Sequence, residues 1–147
     1  MLRRLDHVAF IVEDLAASRR FYGVALGLPE VARPDSFRFA GAWYGAGEDT
    51  IHLIVKADTT QAEQPPEPGA GLARGFATHA AFEVDDLDEL IARMAAHGEA
   101  IAAGPLQRGD GVRQAYFRDP DGHVLELYET TAEDQAGAVR LPMQQSA

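Results

Sequence analysis

A single stretch of this chain occurs twice. Leu5-Asp6-His7-Val8-Ala9-Phe10-Ile11-Val12-Glu13-Asp14-Leu15 is echoed by Ala77-Thr78-His79-Ala80-Ala81-Phe82-Glu83-Val84-Asp85-Asp86-Leu87, with His, Ala, Phe, Val, Asp and Leu in step. The matched histidines, His7 and His79, lie 72 residues apart. Solenoid repeats recur every ~20–50 residues and in several copies. Two copies at this longer period mark a duplicated module, so the chain must fold as two similar halves.

Each copy reads as a strand running into a helix. Period-two alternation places His7 with Leu5, Ala9 and Ile11, and puts Val8, Phe10 and Val12 on the other face. Asp14 is a helix N-cap, and the helix is expected from Leu15 through Leu26, ending at Gly27. Short strands are predicted near Glu30–Arg33, Phe37–Tyr44 and Thr50–Lys56, with a turn over Gly45–Asp49. In the last strand His52 shares a face with Thr50, Ile54 and Lys56. Residues 58–73 are rich in Pro and Gly without an apolar period, which reads as a linker.

The second half repeats the plan. A strand is expected over Gly75–Val84 and a helix capped by Asp86, with an apolar stripe of Leu87, Leu90, Ile91 and Met94 that stops at Gly98. Strands follow around Ala100–Ala103, Val112–Arg118 and His123–Glu129, the last two joined by the turn Asp119-Pro120-Asp121-Gly122. The modules are thus 1–57 and 74–130, and the tail 131–147 lacks a period. The fold class is α+β, two paired βαβββ modules with a helix covering one face of each sheet.

At 147 residues the chain suffices for two small modules sharing one core. A net charge of −10 argues against a nucleic-acid partner, which needs a basic footprint. No apolar run is long enough to span a bilayer. No signal peptide is read at the N-terminus, and a cytoplasmic location fits. There are no cysteines, hence no thiolate ligand or nucleophile.

The helix-averted faces carry the chemistry. The first strand of each half offers His7 or His79, and the last strand offers His52 or Glu126, which lie 74 residues apart. A pseudo-twofold axis would bring these pairs together as three imidazoles and one carboxylate. That set suits a divalent metal such as zinc, nickel, cobalt, manganese or iron. Five histidines is an ordinary number, and a lone strand histidine usually fills a hydrogen-bonded core position. His97, at a helix end, and His123, facing away from Glu126, read that way. Phe37, Phe39 and Trp43 alternate as either a pocket wall or core. Arg113 is read as a fork for a substrate carboxylate or as a solvated arginine. Tyr128 shares the face of Glu126, where it either donates to substrate or packs.

The duplicated plan, with His7, His52, His79 and Glu126 at its ligand positions, resembles the vicinal oxygen chelate superfamily. That group includes glyoxalase I, bleomycin- and fosfomycin-resistance proteins and extradiol dioxygenases. The resemblance runs from about Leu5 to Glu129 and is most specific over Tyr116–Leu127. It implies a cup holding one divalent metal, a small-molecule substrate with vicinal oxygens, and a homodimer. The implied activity is a glyoxalase I-like lyase or isomerase working through an enediolate, with Glu126 or His52 as the base. The alternatives are an iron-dependent ring-cleaving dioxygenase, whose two-His one-Glu set matches His7, His79 and Glu126, and a drug- or metabolite-sequestering protein. Bacterial glyoxalase I usually has Glu where this chain has His52.

Overall fold

A computed structural model describes residues 5–34, 36, 38–56, 79–108 and 111–130. The predicted linker and tail, Phe37 and Gly109 lie outside the described residues.

The first half comprises β1 (His7–Val12), α1 (Leu15–Arg19), β2 (Glu30–Val31), β3 (Gly41–Ala46) and β4 (Asp49–Val55). The second comprises β5 (Ala80–Glu83), α2 (Leu87–Ala96), β6 (Ala103–Gln107), β7 (Val112–Arg118) and β8 (Val124–Thr130). Each half forms a four-stranded sheet of the same order, β1-β4-β3-β2 and β5-β8-β7-β6. In each, the first strand lies parallel to the last and the remaining pairs are antiparallel.

Both helix starts follow from their caps. Asp14 accepts from the amides of Ala16 and Ala17, and Asp86 accepts from that of Glu89. The first helix departs from the expected regular form. After Arg19 it widens into a π-helical turn over Arg20–Ala25, with Leu26 N bonded to Phe21 O at 2.8 Å. Widened turns of this kind alter which residues face inward. Here Phe21, Tyr22 and Ala25 are all buried. Gly27 ends the helix at φ +80, with the Arg93 guanidinium packed where a side chain would project.

Several strand limits also differ from expectation. β3 begins at Gly41 rather than Phe37, and β6 at Ala103 rather than Ala100; of the strand expected over 75–84, residues 75–78 lie outside the described residues and His79 precedes β5. Phe39 therefore lies before β3, beneath the Arg33 guanidinium at 4.9 Å, and does not alternate with Trp43 along one strand.

Val12, Phe21, Tyr22, Tyr44, Ile51 and Leu53 from the first half share one apolar core with Leu87, Met94, Phe117, Leu125 and Leu127 from the second. The halves are also joined by polar contacts at the β7–β8 turn. Tyr22 Oη donates to Asp119 Oδ2 at 2.8 Å, Glu13 N donates to Asp121 Oδ1, and His123 Nε2 bonds Ile11 O at 2.8 Å. The His123 ring stacks on Phe10. The expected structural role of His123 is thus what the fold displays, and His97 caps the end of α2.

Candidate functional site: two matched half-sites

With the helix-bearing faces packed together, the opposite face of each sheet carries the polar set. Register makes the two sets equivalent. Ala9 pairs with His52 across β1 and β4, and Ala81 pairs with Glu126 across β5 and β8. In both halves a small residue two positions after the first-strand histidine sits beside the last-strand donor. On the other flank of that donor stands an aromatic ring, Trp43 beside His52 and Tyr116 beside Glu126.

In the first half, His7 and His52 stack with ring centroids 4.1 Å apart. Trp43 lies on the other side of His52 at 3.8 Å, with planes parallel within 1°. His7 Nδ1 lies 2.9 Å from Asp6 Oδ2. A carboxylate only accepts, so this contact places the proton on Nδ1 and leaves Nε2 with its lone pair, the arrangement that orients metal-binding histidines. His52 bonds Thr50 Oγ1 through Nε2 at 3.0 Å. Burial, and then the neighbouring His7, hold the His52 pKa below the ordinary imidazole value, so its ring favours the neutral form a ligand or base requires.

In the second half, Glu126 is only 4 % exposed. Its Oε2 lies 2.9 Å from His79 Nε2, its Oε1 accepts from Arg108 Nη1 at 3.2 Å, and Tyr116 Oη lies 3.4 Å away. Burial, then the Glu126 charge, raise the Tyr116 pKa, keeping the phenol a donor. Burial, followed by Glu83, does the same to Tyr128.

The four expected ligands are therefore held as two pairs. Among the described residues no three His, Asp or Glu side chains gather into a metal site. The pairs nevertheless fit a metal by their chemistry. Each presents a nitrogen or carboxylate donor set in mutual contact, flanked by alanine. A cleft of about 740 Å³ between the halves is bordered by His7 and His79, but neither His52 nor Glu126 lines it.

Trp43 and Tyr128 share the faces of His52 and Glu126. Arg113 does not. It lies on the helix-bearing face, bonding Glu129 at 2.6 Å and Asp88 at 2.8 Å, while Glu129 also receives the Leu87 amide. These bonds dock α2 on its sheet, which corrects the expected substrate fork. Phe39, outside β3, is likewise not aligned with the Trp43 face. Arg108 and Tyr116 contact Glu126, and Gln114 pairs with Tyr128, none of which the sequence reading includes. Gln114 and Tyr116 were within reach of the alternation rule, because even-numbered positions of β7 pair with Glu126 and Tyr128.

Two sheets of identical order, each covered by a helix and bearing one donor pair, define a duplicated βαβββ protein. The sequence model of the Glyoxalase/Bleomycin resistance protein/Dioxygenase superfamily matches residues 4–127, and the chain belongs to that family. It is 34% identical over 134 residues to the Uncharacterized protein YaeR of Escherichia coli, covering 87% of this chain and 97% of that one. It is 27% identical over 131 residues to Lactoylglutathione lyase GLX1 of Arabidopsis thaliana, covering 86% of this chain and 44% of that protein. The crystal structure of a glyoxalase/dioxygenase from Nostoc punctiforme superposes with a TM-score of 0.68 at 27% identity, covering 88% of this chain and 92% of that chain. No helix among the described residues is long and apolar enough to cross a membrane.

Proposed function

We propose that the chain is a metal-dependent lyase or isomerase of glyoxalase type, moving a proton between adjacent carbons of a small substrate with vicinal oxygens. The observation that carries this reading is the register equivalence of the His7/His52 and His79/Glu126 pairs. The similarity to a lactoylglutathione lyase supports it. The two pairs lie on faces turned away from the shared core, so the site closes when the first half of one copy meets the second half of another. A homodimer with two metal sites follows.

When bound, the metal polarises the substrate oxygens and so acidifies the neighbouring C–H. The remaining work falls to the chain. Glu126 takes the proton from one carbon and returns it to the next, its carboxylate steered by His79 and Tyr116. The neutral His52 ring, clamped between His7 and Trp43, presents a fixed ligand. Trp43 and Tyr128 supply walls that exclude water.

Equilibrium dialysis with zinc or nickel should show one ion per chain, weakening as acid protonates the imidazoles. Absence of stoichiometric binding would remove the site. Mixing His7→Ala with His79→Ala chains tests the shared geometry. Neither variant alone has an intact site, yet the mixed dimer regains one, about a quarter of wild-type capacity overall. A site built within one chain recovers nothing.

Proton transfer consumes no oxygen. Turnover should therefore persist under strict anaerobiosis. Oxygen uptake stoichiometric with a catechol substrate would replace this reading with the ring-cleaving one.

A further inference from the structure

Arg108 follows β6 and reaches across the sheet to Glu126. Its Nη1 donates to Glu126 Oε1 at 3.2 Å while its guanidinium lies 5.8 Å from the Tyr128 ring centroid. Beside Tyr128 on β7, on the same face, stands Gln114. Gln114 is 7 % exposed, yet its Oε1 is buried with no hydrogen-bond partner. Buried acceptors left unsatisfied are uncommon, and each calls for a reason. An arginine over an aromatic ring with a carboxylate at its tip is an arrangement suited to binding oxyanions. In this chain the carboxylate at the tip is the protein's own.

We infer that Arg108, Tyr128 and Gln114 form a subsite for an oxyanion-bearing substrate group, and that the Glu126 carboxylate occupies it until metal draws Glu126 away. This deepens the proposed function and rests on its placement of the site at Glu126. When Glu126 turns to an ion, Arg108 exchanges an internal carboxylate for the substrate's carboxylate or phosphoryl group. Gln114 Oε1 then accepts from a hydroxyl or N–H beside that group. The substrate class is a small acid with a hydrogen-bond donor next to its anionic end. Metal and oxyanion each strengthen the other's binding, by the reciprocity of linked equilibria.

The test works without metal. Glycolate and inorganic phosphate, with ethylene glycol as the uncharged control, are titrated into metal-free wild type, Glu126→Gln, and the Glu126→Gln/Arg108→Gln double variant. Removing the internal competitor should tighten binding of at least one anion about tenfold, the worth of a hydrogen bond to a charged group. The double variant should lose that gain, and ethylene glycol should not respond. Preference for glycolate or phosphate assigns the carboxylate or phosphoryl source.

No gain in Glu126→Gln, or a gain that survives loss of Arg108, overturns the inference. Should Glu126→Gln fail to fold, Arg108→Gln in zinc-loaded protein reads the same contact. Anion affinity should fall about tenfold while zinc affinity is kept or tightens, because Arg108 no longer competes for Glu126, and an unchanged anion affinity overturns the inference. Wild type that binds no zinc, beside a Glu126→Gln chain that gains anion affinity, would sink the metal reading and leave the subsite standing.

Discussion

Glu126→Gln is expected to keep the fold, lose part of its metal affinity, and lose turnover by about 10²–10⁴-fold after normalisation to bound metal. The amide oxygen can still coordinate and can keep one of the two contacts, that from Arg108 at Oε1 or that from Tyr116 at Oε2, while the amide nitrogen cannot accept the other. What disappears is basicity. Glu126 is the one carboxylate among the four proposed ligands, so no other ligand accepts a proton with the same ease. A sequestering protein moves no proton, and its ligand affinity would fall only as metal is lost. Turnover and ligand binding, both measured per bound metal, separate the cases. Metal-normalised turnover within a few-fold of wild type would make Glu126 a ligand alone and pass the role of base to His52.

The second large effect lies at the junction of the two halves. Asp119 is 4 % exposed and accepts from Tyr22 Oη and from the amides of Asp121 and His123. Asp119→Ala strands these donors at the junction of the halves, and unfolding measurements should show a loss of about 3 kcal/mol or more. Asp119→Asn keeps an acceptor for the turn amides and can donate to Tyr22, so its cost should stay near 1 kcal/mol.

The pH dependence has a definite sign. Burial, partly opposed by His123 and the Tyr22 hydrogen bond, raises the Asp119 pKa in the folded chain above the ordinary value of about 3.9. Folded protein therefore retains a proton that unfolded protein has released. The resulting stabilisation is complete below about pH 4 and is lost as pH rises through the folded value. Relative to Asp119→Asn, wild type should lose stability over that interval. Glu13 and Asp88, lowered by Lys56 and Arg113, slope the other way but cancel in the difference. A flat difference between the two proteins would show that Asp119 is not raised.

The sequence carried the fold because the two copies share a polar/apolar alternation and a cap. His7, Asp14, His79 and Asp86 are placed by the repeat alone. Strand limits were less legible where Gly, Pro and aromatic residues adjoin, as at Phe39 and Gly41. The π-helical turn has no signal in composition, since Arg20–Ala25 suits a regular helix equally well. The pairing of His52 with Ala9 and Glu126 with Ala81 depends on register, which only the sheet supplies. Arg113 misled because one alternating strand offers two faces, and Asp88 on α2 together with Glu129 claims the one it occupies. Arg108 was hidden because its reach to Glu126 spans β7, a contact no spacing rule encodes.

The interdependence of the halves has a consequence for how such a chain can change over generations. Tyr22 is anchored by Asp119, and Phe10 is covered by His123, so the second half finishes the interior of the first. Trp43, His52 and Arg108, on the donor-bearing faces, lie outside that apolar cluster. Replacements at Trp43, His52 or Arg108 can therefore explore new chemistry at little risk to folding, while drift at Asp119 or Tyr22 is punished at once. Descendants of this chain should vary in reaction long before they vary in architecture.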